Sequence, residues 1–360
     1  MANNETLDTL VNFDGSGKVL SVYLDTELGN KSKEAVKLRF RDSVRDLEDA
    51  AAPEIEAVQE YLDFEFDWET KGLGLWVSGD ELWEVATFPA PVEDRAVYTT
   101  DPYIRVLVDV LDRFAPYGVA VVDNEKVRLF SVAWGRIQAE SESYGQGVKR
   151  HKQGGWAAAR YQRHEDHLAL RNLKNAVQVM ETFCQEWGYK RFVLGGTSEV
   201  LARVKELLPQ QMREWIMGHF VVDIEASPDE ILERSSNVVR QADLEEQEQM
   251  VSEAFTAASR GGTGVTGLYD TVYALHQGEV LSLLVDQDYM PSGYVCDQCG
   301  FVSESEQATC PFCGHDEMVQ VPDIVDLAIH KAIETGARVN VVRDNEQLCE
   351  AGGIAALLRY

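Results

Sequence analysis

The chain has 360 residues, 45% of them hydrophobic and 26% charged, and a formal charge of −28. That length accommodates two or three domains with cores of their own. So acidic a chain is expected to be soluble, and it is a poor general binder of nucleic acid or of anionic membrane. The opening residues, MANNETLDTLVNFDG, hold no basic segment followed by an apolar one, and no run of 18 apolar residues occurs anywhere. Neither a secretory signal nor a membrane span is expected, and the location expected is cytoplasmic. Six cysteines are too few for a disulfide scaffold. Four of them form a metal pattern, and Cys184 and Cys349 are expected to be buried thiols in a reducing compartment.

In chain order, 19–26 (VLSVYLDT) alternates apolar and polar residues and predicts a strand. Residues 33–52 carry helical spacing at Ala35, Val36, Leu38, Val44 and Leu47. The segments 72–78 and 81–88 flank Gly79-Asp80, a hairpin turn, and a helix is expected over 101–114. Residues 118–123 and 126–133 predict a second hairpin about Asn124-Glu125. A long helix then runs to about Trp187, with Leu170, Leu173, Val177, Met180, Phe183 and Cys184 on one face. A strand at 191–196 ends in glycines, and Thr197 or Ser198 caps a helix to Leu208. No P-loop lysine or dinucleotide fingerprint accompanies Gly195-Gly196, so that pair is read as a tight strand-to-helix turn. A strand follows at 220–224, and Ser227-Pro228-Asp229-Glu230 caps a helix running toward Ala258. After a linker at Ser259–Gly264 comes a second α/β unit: helix 267–277, strand 279–285, helix 323–335 and strand 338–343, with Gly278 and Gly336 as helix stops. The alternation predicts an α/β fold.

Between 149 and 174 the charge reverses. KRHKQGGWAAARYQRHEDHLALRNLK holds seven Lys/Arg against two acids, whereas the rest of the chain holds 26 against 59. Such an island is a local surface for a polyanion whatever the net charge. Lys149, Arg150, His151, Lys152, Arg160, Arg163, Arg171 and Lys174 are the candidate RNA-binding residues, and the turn Gly154-Gly155-Trp156 leads into the helix. Further along, Cys296-x2-Cys299 and Cys310-x2-Cys313 each carry glycine after the second cysteine. Two such knuckles supply four thiolates to one tetrahedral Zn²⁺ and leave no position open for a reacting water, so the metal is expected to be structural, in a ribbon over 294–316.

The stretch 149–163 resembles the catalytic loop of the class-I release factors of archaea and eukaryotes and the matching region of Pelota, K-H-G-R-G-G-Q-S-A-x-R-F-x-R. His151, Gly154, Gly155, Ala158, Arg160, Tyr161 and Arg163 fall in register. Gln153 replaces the family's arginine, and Trp156 replaces the glutamine that helps place the hydrolytic water. The closing residues, GGIAALLRY, resemble the Gly-Gly-Ile-x-Ala-x-Leu-Arg-Tyr that ends the family's third domain. Asn30-Lys31-Ser32 echoes three residues of the family's stop-codon motif, although Ser32 also reads as an ordinary helix N-cap. The resemblance implies three domains: 1–117, divergent from the decoding domain; 118–260, RNase H-like; and 265–360, similar to kink-turn RNA-binding proteins and carrying the inserted zinc ribbon. It further implies a cytoplasmic factor of the ribosomal A site, in contact with ribosomal RNA and peptidyl-tRNA and docked on a translational GTPase through 265–360. Two roles stay open: peptide release or rescue with hydrolysis of the peptidyl-tRNA ester through Gly154, Gly155 and Trp156, or a non-hydrolytic rescue or hibernation factor. A metabolic α/β enzyme, the remaining class, lacks its expected signs, since no nucleophile motif, phosphate loop or open metal site is present.

Overall fold

The computed structural model describes residues 4–29, 32–145 and 156–360, with side chains of 156–165 excepted. The fold is mixed α/β and divides into two compact units, Met1–Arg113 with Gln247–Tyr360, and Phe114–Glu246. Among the described residues no helix is long and apolar enough to cross a membrane.

The first part of unit one comprises α1 (Asn4–Val11), β1 (Val19–Asp25), α2 (Lys33–Val44), α3 (Ala52–Phe64), β2 (Gly72–Ser78), β3 (Leu82–Phe88), β4 (Arg95–Thr99) and α4 (Arg105–Arg113). Its antiparallel sheet runs β3-β2-β1-β4, and Phe40, Val44, Val58 and Leu62 of α2 and α3 pack on it. The helix expected over 33–52 instead stops at Val44, passes through a 3-10 turn, Arg45–Leu47, and restarts at Ala52. Pro53, in the first turn of α3, fits a helix start because its missing N–H has no intrahelical partner there. Ser32 accepts from the Ala35 N–H at 3.2 Å and caps α2. Asn30 and Lys31 lie outside the described residues.

The later part of the same unit comprises β10 (Gly264–Thr266), α9 (Leu268–His276), β11 (Val280–Asp286), β12 (Gly293–Cys296), β13 (Val302–Ser303), β14 (Met318–Val321), α10 (Ile324–Glu334), β15 (Arg338–Val342), α11 (Glu346–Glu350) and β16 (Ile354–Leu358). The sheet order is β10-β16-β11-β15, with β11 and β15 parallel. The GGIAALLRY segment thus supplies a central strand, with Ile354, Ala355 and Ala356 fully buried. The strand β12 pairs with β13 and β14 in a separate small sheet. Cys349 is exposed, contrary to expectation, and its thiol donates to Asp286 Oδ2 at 3.0 Å.

Unit two holds β5 (Tyr117–Val122), β6 (Lys126–Ala133), β7 (Arg136–Tyr144), α5 (Trp156–Trp187), β8 (Phe192–Gly196), α6 (Ser198–Leu207), α7 (Gln210–Trp215), β9 (Ile216–Val221) and the start of α8 (Pro228–Ser259). Its sheet order is β7-β6-β5-β8-β9, with β5, β6 and β7 antiparallel and β8 and β9 parallel to β5. One face is covered by α5 and α6, through Leu173, Met180, Val200 and Val204, and the other by α8, through Ile231 and Val239. Burial pushes the Cys184 thiol in the first of these cores up to about 11, which leaves it unreactive. The strand expected at 220–224 lies at Ile216–Val221; Val222 and Ile224 still join the core, but from the loop beyond the strand.

Unit one is tied by a buried polar network. Asp323 caps its own helix, α10, accepting from Val325 N–H at 3.0 Å and Asp326 N–H at 3.4 Å. Asp326 caps a different helix: its Oδ1 accepts from Ile104 N–H at 3.0 Å and Arg105 N–H at 2.8 Å at the start of α4. The Arg105 guanidinium, 3% exposed, donates to the carbonyls of Tyr289 (2.7 Å), Asp286 (2.6 Å) and Gln287 (3.0 Å) and lies 3.4 Å from Asp323 Oδ2. Tyr103 Oη donates to the same Asp323 oxygen at 2.9 Å, and His330 Nε2 donates to Pro102 O at 2.7 Å. Burial outweighs the attraction of His330 and pushes the Asp326 carboxyl up to about 7.

Arg105→Ala should therefore cost about 3–5 kcal/mol of unfolding free energy in a urea titration, because the carbonyls and Asp323 lose a buried donor. Asp326 gives a pH signature. Its folded pKa lies above the unfolded value, so the native state holds the extra proton and stability falls as pH rises between about 4 and 7. Asp326→Asn cannot titrate, so its stability relative to wild type should rise from pH 5 to pH 8. A difference that stays constant over that range would show that Asp326 is ionised throughout.

Candidate nucleic-acid interface and metal centre

Of the basic candidates, Lys149, Arg150, His151 and Lys152 lie outside the described residues, as do Gly154 and Gly155. Trp156 is the first residue of α5, and Arg160 and Arg163 sit on its next turns. Positions 160, 163, 167, 171 and 174 recur at three- and four-residue spacing, so they form one stripe, about 21 Å long at the helical rise. The buried positions Ala169, Leu173, Ala176, Val177 and Met180 occupy the opposite side of the helix. Arg171 and Lys174 are exposed, and among the described residues neither has an ion-pair partner.

Three other cations of unit two are paired with carboxylates. Arg128 holds Glu140 at 2.6 Å and Glu142 at 3.2 Å, and Arg191 holds Asp243 at 2.5 Å. Lys126 is 2.6 Å from Glu225, and that hydrogen bond holds its ammonium above the ordinary range. Arg171 and Lys174 differ from these three in having no ion-pair partner among the described residues, which leaves donors for phosphate oxygens.

The structure adds residues that sequence spacing does not indicate. The β5–β6 turn is held by Asp123 Oδ1, which accepts from Glu125 N–H at 2.7 Å and Lys126 N–H at 2.6 Å. Gly145, just beyond β7, donates its N–H to Glu125 O at 2.5 Å. Asn172 of α5 is buried and donates to Asn124 O at 2.9 Å, while Arg203 of α6 donates to Asn124 Oδ1 at 3.3 Å. A Cβ on Gly145 would stand 2.5 Å from Asn172 Cγ, so this approach requires glycine. The stem at Gly145, beyond the end of β7, is thereby joined to the β5–β6 turn and to α5. Asn124 was legible only as a turn residue, because its contact with Asn172 spans 48 positions.

The four predicted cysteines converge. Their sulfurs all lie within 4.8 Å of one another, with Cys296–Cys313 and Cys299–Cys310 each at 3.6 Å. A disulfide would need about 2.05 Å, so these are thiols. The knuckles are alike in their main-chain bonds: Gly300 N–H donates to Cys296 O and Gly314 N–H to Cys310 O, both at 2.9 Å. Gly300 and Gly314 have φ of 72° and 78°, a left-handed turn that a side chain would oppose. Four convergent thiols of this kind can hold a metal ion.

A five-stranded sheet carrying a basic helix, in an acidic chain with four converging cysteines, defines a candidate RNA-facing protein with a site that can hold a metal ion. Residues 102–240 match the model of bacterial archaeo-eukaryotic release factor family 10. The chain is similar to peptide chain release factor subunit 1 of Archaeoglobus fulgidus, 25% identical over 280 residues, covering 72% of this chain and 69% of the relative. It is likewise similar to the subunit of the same name from Methanococcus maripaludis (strain C7), 25% identical over 320 residues, 78% of this chain and 76% of the relative. Among solved structures, Archaeoglobus fulgidus Pelota aligns with a TM-score of 0.37 and 15% identity over 80% of this chain and 79% of that one. The chain thus resembles the archaeo-eukaryotic release factors, residues 102–240 by the family 10 model and 72% of its length by the Archaeoglobus fulgidus relative.

Asn172→Ala removes the donor to Asn124 O in a buried setting and should cost about 1–3 kcal/mol. The local readout is hydrogen exchange at the Gly145 amide, which should lose protection. Unchanged protection there would show that Asn172 does not hold the stem.

Proposed function

We propose that the chain is a ribosome-associated translation factor that works in the A site, in peptide release or in rescue of stalled ribosomes, in the cytoplasm. The observation that carries this reading is the α5 stripe: basic residues at helical spacing after Gly154-Gly155-Trp156 in the sequence, with Arg171 and Lys174 exposed and without an ion-pair partner among the described residues, in a chain of charge −28. Lys149, Arg150, His151, Lys152, Arg160, Arg163, Arg171 and Lys174 would hold ribosomal or transfer RNA phosphates and set position rather than sequence. The 265–360 block, by its resemblance to the family's third domain, would dock on a translational GTPase. We retain the division into 1–117, 118–260 and 265–360, which the separate sheets support. The order β7-β6-β5-β8-β9, three antiparallel strands followed by two parallel ones, is consistent with an RNase H-like middle block.

For release, the turn would hold water beside the peptidyl-tRNA ester and place main-chain N–H groups near the developing oxyanion. Trp156 keeps its backbone N–H, but its indole donates one hydrogen bond and accepts none, so it cannot orient water as a glutamine amide does. That substitution favours a second reading, a non-hydrolytic rescue or hibernation factor in which Trp156 stacks on a base.

Zn²⁺ is the metal that fits the four cysteines. With bonds of about 2.3 Å, a tetrahedral zinc sets its sulfurs about 3.8 Å apart, close to the 3.6 Å of both cysteine pairs. Bound there, it would hold the two knuckles together and supply structure rather than catalysis.

Metal analysis of protein purified without chelators should find about one zinc per chain, and Cys310→Ser should lose it while the cores about Leu173 and Phe220 stay folded. Zinc-free wild-type protein of unchanged stability would remove the assignment. Ribosome co-sedimentation should fall with salt and disappear in the double variant Arg160→Glu, Arg163→Glu; binding unchanged by the reversal would rule out α5 as the contact. Timed release of labelled peptide from ribosome-bound peptidyl-tRNA then separates the two readings. Release above background by wild type supports the hydrolase, with Trp156→Gln faster still, whereas binding without release supports the rescue or hibernation factor.

A further inference from the structure

The metal ribbon carries an aromatic face on its side toward α9. Tyr269 and Tyr273, one helical turn apart, stack with centroids 6.2 Å apart and planes 21° from parallel. Tyr273 meets Phe312 of the second knuckle edge-on at 5.8 Å, and Phe312 stacks at 5.9 Å on the fully buried Phe301. His276 lies 5.2 Å from both phenylalanine rings. This is one contiguous cluster with an open side, since Tyr269 is 57% exposed, Tyr273 37% and Phe312 39%. Internal packing does not require three large rings in water, and contiguous exposed aromatics mark interaction surfaces.

The charge around it selects the partner. From Gly261 to His330 the chain has eleven Asp/Glu and not one Lys or Arg. Asp270 beside Tyr269, and Glu304, Glu306, Asp316 and Glu317 of the ribbon, are all exposed. Lys331 follows this stretch, and its ammonium is paired to Glu334 at 2.9 Å. A phosphate backbone brought to this face would meet carboxylates, while Lys331, the cation that acts on His276, is already paired, so the face disfavours nucleic acid. Ring faces bordered by carboxylates attract lysine and arginine, through cation–π contact at the rings and Coulomb attraction at the rim.

We infer that the face formed by Tyr269, Tyr273 and Phe312 docks a Lys/Arg-rich polypeptide segment bearing an apolar anchor. The anchor residue enters among the rings over Phe301, and flanking cations reach the carboxylates. This surface is independent of the α5 stripe, and the ribosomal role proposed above neither requires it nor depends on it.

The test uses the full-length chain and an array of 12-residue synthetic peptides that alternate Lys or Arg with Ser around one Phe or Leu. Matched controls replace the cations by Glu or the anchor by Ser. Affinities are read by fluorescence anisotropy. Basic, anchored peptides should bind at least tenfold more tightly than either control. Tyr273→Ser and Phe312→Ser should each weaken binding at least tenfold, and Arg160→Glu should leave it unchanged. Zinc content equal to wild type certifies that a variant's ribbon is intact; should Phe312→Ser lose metal, Tyr273→Ser decides. Three results overturn the inference: no preference for basic peptides, equal binding by wild type and the aromatic variants, or weakened binding of an oligo-uridine 12-mer in the aromatic variants. The last would show that the face takes RNA.

Discussion

Two helices of unit one begin against each other, and the carboxylates between them hold that unit's two chain segments in place. The first amides of any α-helix have no partner within it, and its N-terminus carries a partial positive charge. α10 satisfies its own amides with Asp323, as most helices do, but α4 has no capping side chain of its own and borrows Asp326 from α10. Two aspartates at close quarters in an apolar interior repel each other, and a buried carboxylate is costly. The site meets that cost by placing the Arg105 guanidinium beside Asp323 and leading its remaining N–H groups to three main-chain carbonyls. Tyr103 then links inward, its carbonyl accepting from Tyr23 Oη at 2.7 Å and Trp76 Nε1 at 2.9 Å in the core of the first sheet. Removing any one member leaves another buried without a partner, so the network acts as a unit.

What the sequence discloses depends on the distance over which a feature is determined. The metal centre is local: four cysteines within 18 positions, each pair with its glycine, specify the knuckles almost alone. The basic stripe is legible because helical period and charge coincide on α5. Helix stops at Gly278 and Gly336 are legible for the same local reason, with φ of 73° and 70°. The network of Arg105 and Asp326 is not. Its hydrogen bond joins residues 221 apart, and Asp326, within the first turn of α10, reads from sequence as an ordinary solvated acid. Periodicity also missed β7, RIQAESESY, an edge strand whose residues are mostly exposed and so carry no apolar alternation. In 216–224 the signal misled, because the edge strand IMGHFV is weakly apolar while the loop after it is rich in core residues.

Net charge is a poor guide to the partners of such a chain. At physiological ionic strength exposed charges are screened beyond about 8 Å. A stripe about 21 Å long therefore presents its own sign to a phosphate backbone, whatever the formal −28 summed over 360 residues. By the same reasoning the cation-free stretch from Gly261 to His330 presents a local anionic surface. Both features follow from how lysine and arginine are distributed along the chain rather than from their number. Lys126, Arg128 and Arg191 of unit two are already paired with Glu225, Glu140, Glu142 and Asp243, whereas Arg171 and Lys174 of α5 have no ion-pair partner among the described residues. A charge already neutralised by a carboxylate would have to break that pair before binding a phosphate, whereas Arg171 and Lys174 exchange only water and counterions. The stem about Asn172 completes the arrangement. A long helix holds its side chains in a defined place only if its register on the sheet is fixed, and a buried amide between Gly145 and Asn124 fixes it at the end of β7.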